Sequence, residues 1–131
     1  MKNLILSLLL VLSTISNVKA QSQVQQHLFR TYAYSIHEKV DNNYLEWTPY
    51  VEEKGSIAFF TNTSSVKCNG LSELTNKFTD LKFIKKAGET EYYSATDGNS
   101  DVTIRIEKQE DYVIYFTFPH GTIAYTCKKV Y

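Results

Sequence analysis

Three histidines, two cysteines, one spaced acid–amide triplet and ten tyrosines are the residues of this chain that can do chemistry. His27, His37 and His120 are the candidate general bases. None lies in a G-x-S-x-G elbow or beside a cysteine motif, so a nucleophilic triad has no local support. His37 and Glu38 project to opposite faces of an extended segment and make no pair. His120 belongs to a Pro-His-Gly tripeptide, where a solvated turn residue is expected. The carboxylates Glu52 and Glu53, Glu89 and Glu91, and Glu110 and Asp111 all fall in or beside turn signals. A glycosidase needs one carboxyl in an apolar setting that raises its pKa, and none is so placed. The expectation is a non-catalytic protein, with a hydrolytic enzyme as the third alternative after the two binding readings.

Asp97, Asn99 and Asp101 repeat the opening of an EF-hand loop, in which alternate side chains supply oxygen to calcium. The sixth and twelfth positions, where that loop requires Gly and Glu, hold Val102 and Lys108. A tight polar turn accounts for the triplet. Cys68 and Cys127 have no second Cys or His at ligand spacing, so no metal site and no cofactor are expected. An even cysteine count in an exported chain predicts a Cys68–Cys127 disulfide, worth about 4 kcal/mol for a loop of this length.

The tyrosines point to binding. Ten Tyr, seven Phe and one Trp suit a pleated, half-buried surface, and β-propensity alone explains most of that enrichment. Where such rings stay exposed they can stack on a sugar. Tyr44 and Tyr50 share a strand face opposite Trp47, which keeps company with Leu45 and Val51 and is expected in the core. Tyr92 and Tyr93 are adjacent. These four tyrosines are the candidate ligand-binding residues.

The elements that must position them are strands. Period-two alternation runs from Leu28 onward, most clearly at Val102, Ile104 and Ile106, and predicts an all-β antiparallel meander. Eight or nine short strands separated by turn signals describe a small sandwich or barrel. Leu28, Tyr32, Tyr34 and Ile36 share one face of the first strand, with Arg30 the exception. Tyr44–Glu53 reads as a strand that Pro49 confines to an edge or a bulge. Leu71, Leu74 and Phe78 have helical spacing and suggest a helix turn. Tyr112, Ile114, Phe116 and Phe118 line one face of a late strand, with Val113 and Tyr115 on the other. Such a strand is covered on both sides. Pro119-His120-Gly121 reads as a three-residue hairpin loop.

Met1 and Lys2 followed by the apolar run Leu4–Leu12 and a Val18-Lys19-Ala20 cut site form a signal peptide, residues 1–20. The run is too short to span a bilayer. Residues 21–131 are then a single domain, expected outside the cytoplasm, extracellular or periplasmic. Losing Lys2 and Lys19 with the leader takes 14 basic residues to 12 against 14 acidic ones, a net charge of −2. A near-neutral chain gives no reason to expect nucleic acid or anionic lipid as a partner. The function expected is an exported binding or interaction domain. Its partner is a protein, or a small ligand or glycan; if the barrel encloses the ligand, Ile104, Tyr112, Phe116 and Tyr125 line the cavity.

Overall fold

The computed structural model describes residues 27–130, so the leader reading of residues 1–20 lies outside the described residues. The chain forms nine antiparallel strands: β1 (His27–Val40), β2 (Asn43–Tyr44), β3 (Val51–Phe60), β4 (Ser65–Asn69), β5 (Lys77–Ala87), β6 (Thr90–Thr96), β7 (Asp101–Lys108), β8 (Tyr112–Phe118) and β9 (Gly121–Lys129). All but β2 follow one another around a barrel, which closes when β9 pairs with β1 from Phe29↔Lys129 to Glu38↔Gly121. The two-residue β2 pairs with the end of β1. The fold is thus the expected all-β meander, closed as a barrel.

The barrel is filled. Ile57, Phe59, Val66, Phe78, Ile104, Ile114, Phe116 and Tyr125 point inward and are buried completely. Their rings interlock, with Phe78 stacked on Phe116 at 5.4 Å and Phe29 edge-on to Phe59 at 6.0 Å. Eight strands enclose an interior that side chains of this size can fill. Ile104, Phe116 and Tyr125 are therefore core, and Tyr112 is a half-buried residue packed against it, rather than the lining of an enclosed ligand cavity.

One end is stoppered by residues 70–76. The helical spacing of Leu71 and Leu74 does not come from a helix: the segment is irregular, and both leucines dip into the core. Glu53 fixes it, accepting the Ser72 N–H at 3.0 Å and the Ser72 hydroxyl at 2.6 Å. Gly55 makes room, because a Cβ there would stand 2.3 Å from the Asn69 carbonyl and 2.6 Å from Leu71 Cδ2.

A β-bulge resolves the anomaly at Arg30. The register of β1 shifts between Thr31 and Ala33 against both neighbours. An extra residue reverses which parity faces the core. Phe29 and Thr31 point in before the bulge, Tyr34 and Ile36 after it, and Arg30 and Tyr32 lie outside. The hairpin between β8 and β9 is tighter than expected: Phe118 pairs directly with Gly121 across Pro119-His120.

The disulfide is not formed. Cys68 and Cys127 are free, buried thiols. Both face the core, but β4 and β9 have β3 and β1 between them, three inter-strand steps of about 4.8 Å each. A bridge requires Cα atoms within about 7 Å. Instead the Cys127 Sγ–H is directed at the Tyr125 carbonyl, 3.3 Å away. Burial pushes the Cys68 thiol up to about 12 and shifts Cys127 in the same direction. Both cysteines behave as small hydrophobes.

Candidate functional site

The outer face of the barrel carries the exposed aromatic rings. Tyr92, Arg105, Tyr115, Ala124 and Ser35 are consecutive cross-strand partners from β6 to β1, forming one outward row. Alternation places them there, since the inward positions of β7 and β8 belong to Ile104, Ile106, Ile114 and Phe116. Lys85 Nζ sits 4.9 Å above the Tyr92 ring, and the Arg105 guanidinium lies 4.0 Å over Tyr115. Glu107 holds Arg105 from the side, with Oε2 at 3.2 Å from Nε. Burial raises the Tyr115 hydroxyl pKa, and the Glu107 charge adds to it.

Residues 45–50, between β2 and β3, fold back over this row. They are not strand, and Trp47 is not core: it is 43% exposed. The segment is moored to β1 by backbone pairing of Leu45 N–H to Glu38 O and Thr48 N–H to Ile36 O, each 2.8 Å. Ser35 Oγ–H donates to the Thr48 carbonyl at 2.6 Å, and the Ile36 N–H to Thr48 Oγ1 at 2.8 Å. Pro49 has no N–H to satisfy in this irregular stretch. Moored in this way, Trp47 stacks on His37 at 4.6 Å and meets Tyr115 edge-on at 6.2 Å. Tyr44 stacks on the His37 ring as well, at 4.5 Å. The imidazole is held between two aromatic rings, and Lys39 caps the series 5.6 Å from Tyr44.

Between this segment and the sheet lies a groove of about 400 Å³. Ala124, Thr126 and Val113 form its floor, Trp47 and Tyr50 one wall, and Tyr115, Arg105 and Gln109 the other. Tyr50 is 73% exposed, and no aromatic or cationic group stacks on its ring among the described residues. The groove therefore offers an open ring face beside hydroxyl, amide and guanidinium donors. Its volume falls within the range that holds a small ligand.

Of the four tyrosines singled out by sequence, only Tyr50 lines this groove; Tyr44 lies in the neighbouring His37 stack, and both are on the same side of the sheet as Trp47 rather than opposite it. Tyr92 ends the outward row. Tyr93 belongs elsewhere: it points inward, is buried, and packs on Phe59 at 5.7 Å. Sequence reasoning placed Trp47 in the core and weighed His37 only as a general base, and it missed Tyr115, Arg105 and Gln109. The signal for Tyr115 was present in β8, whose two apolar faces called for cover on the outside.

The histidines divide. His37 is held in the stack, and His120 lies against Phe118 at 5.5 Å in the hairpin turn. His27 lines a cleft of about 280 Å³ at the unstoppered barrel mouth with Glu89, Glu91 and three lysines. Burial lowers its pKa, Lys129 adds to that, and Glu91 opposes it. No Ser, Thr or Cys lines this cleft to serve as a nucleophile. At the acid–amide triplet, the Asp97 carboxylate accepts the Asn99 and Ser100 N–H groups at 2.8 and 2.7 Å, and these bonds lower its pKa. The triplet makes a polar turn, and no cluster of three or more metal-ligating His, Cys, Asp or Glu occurs among the described residues. No protein-family model matches the chain, and neither curated proteins nor solved structures give a significant match.

Proposed function

We propose that the protein is a non-catalytic binding module whose outer groove holds a saccharide of one or two rings. The observation that carries this is the open Tyr50 ring beside Trp47, facing Arg105 and Gln109 across a floor of small residues. A pyranose combines apolar C–H faces with a rim of hydroxyls. It matches ring walls interleaved with fixed hydrogen-bonding groups. A purely apolar ligand would leave the Gln109 amide and the Thr126 hydroxyl without partners, a cost for every donor removed from water. The moored segment supports the reading too, because a wall already fixed by four hydrogen bonds loses little freedom when ligand arrives. Export, expected from the leader, would place such a module where glycans are met.

Trp47 is the only tryptophan of the chain, so its fluorescence reports on the groove directly. Titration with cellobiose, maltose and chitobiose should give a saturable change with at least one of them. Tyr50→Ala should weaken that response about tenfold or more with little change in melting temperature, since Tyr50 is largely exposed. Flat titrations with all three disaccharides at tens of millimolar would refute the reading.

A protein partner is favoured by a different observation. β5 pairs with β4 only at Lys77 and Phe78, and beyond Leu81 its second edge meets no strand among the described residues. That edge shows Phe83 and Ile84, 57% and 52% exposed. An open edge with apolar side chains can accept an added strand. Phe83→Lys would abolish such an association and leave saccharide binding intact.

A further inference from the structure

A second groove, of about 930 Å³, shares no residue with the aromatic groove. It runs over the outer faces of β3, β1 and β9 at the bulge. There the Thr31 hydroxyl replaces a ladder bond, accepting the Gly55 N–H at 2.9 Å and donating to the Glu53 carbonyl at 3.2 Å. Tyr32, the residue that β1 adds against β9, turns outward into the groove.

Its charges do not balance. Arg30 of β1 stands directly opposite Lys128 of β9, and Lys54 of β3 flanks them. Like charges in directly opposed sheet positions destabilise the pair. Neither Arg30 nor Lys128 has a carboxylate within 4.0 Å among the described residues, and Lys54 has only a fully solvated contact to Glu52 at 3.9 Å. The one acid lining the groove, Asp111, is engaged by the Tyr32 hydroxyl. Three cations face one occupied carboxylate, in a chain whose formal charge is zero. Leu28, Val130 and the Tyr32 ring supply apolar wall, and Thr31, Gly55 and Ser56 complete the lining.

We propose that this groove binds an amphiphilic anion, with a carboxylate or phosphate head between Arg30 and Lys128 and an apolar body along Leu28, Tyr32 and Val130. The head would relieve the repulsion between the two opposed cations. A second copy of this chain presenting the same face would add cations to cations and is excluded as the occupant.

Calorimetric titration tests this with octanoate and octyl phosphate below their micellar concentrations, against octanol, acetate and inorganic phosphate. One equivalent of octanoate or octyl phosphate should bind, and whichever binds more tightly identifies the head. Octanol and the two small anions should each bind about tenfold more weakly or worse. The Arg30→Gln/Lys128→Gln variant should lose about tenfold or more in affinity, as expected when charge-assisted hydrogen bonds are removed. Its melting temperature without ligand should equal or exceed that of the native chain, which separates lost binding from lost folding. Undiminished binding by that variant, octanol binding as tightly as octanoate, inorganic phosphate as tightly as octyl phosphate, or no binding at all would each overturn the proposal.

Discussion

Trp47, Arg105 and the two cysteines show how a residue's neighbours decide its role. Trp47 has the chemistry of a core residue, yet its ring is spent on the outside, stacked on His37 and set against Tyr115. Arg105 is held over Tyr115 by Glu107, so its donors are positioned before any ligand arrives. Burial of Cys68 and Cys127 disfavours the thiolate, the species that attacks. The folded protein should therefore not react with a thiol-specific disulfide reagent at pH 8, and both thiols should react once it is unfolded in urea. A reducing agent should leave the melting temperature unchanged. A native mass 2 Da below that of the dithiol form, or a melt lowered by reductant, would contradict the free-thiol assignment.

At the scale of elements, legibility followed regularity. β7, β8 and β9 were readable because each inward position is apolar and each turn carries its own signal. β1 misled because a bulge shifts parity, and alternation carries no mark of an added residue except an outlier such as Arg30. The segment 45–50 misled because its pattern matches a strand, whereas its backbone groups are satisfied by Glu38, Ile36 and Ser35 from one side only. The Leu71–Leu74 stopper misled because dipping twice into a barrel end gives the same spacing as a helix turn. The groove itself was barely legible: of the four tyrosines only Tyr50 lines it, while Arg105 is brought there by cross-strand register and Gln109 by the turn after β7. Gly55 tests the stopper. Gly55→Ala should destabilise the protein by about 3 kcal/mol or more, the upper range for overpacking, because the new methyl meets backbone that cannot step aside. The urea midpoint measures this; an unchanged midpoint would mean that residues 70–76 do not pack as described.

Over the whole molecule, a filled barrel leaves its outer surface as the place for the proposed binding. The same filling makes stability sensitive to alkali. Cys68 is raised from 9.0 to about 12, and Tyr93 from 10.0 to about 12, both mainly by burial. Raised acidic groups bind more protons folded than unfolded. Their contribution is therefore complete below about pH 9 and is lost as pH rises toward 12. Urea midpoints should be flat up to about pH 9 and fall steeply above it. A midpoint that stays constant to pH 12 would contradict the burial of these groups.

The most direct test of the account is to map backbone amide shifts while a disaccharide that changes Trp47 fluorescence is added. Binding in the groove should confine the shifts to Trp47, Thr48, Tyr50, Gln109, Val113 and Thr126 and leave the amides of the barrel mouth at His27 and Glu91 unmoved. Shifts centred on the mouth and the inward-facing core would place the ligand within the barrel and contradict it.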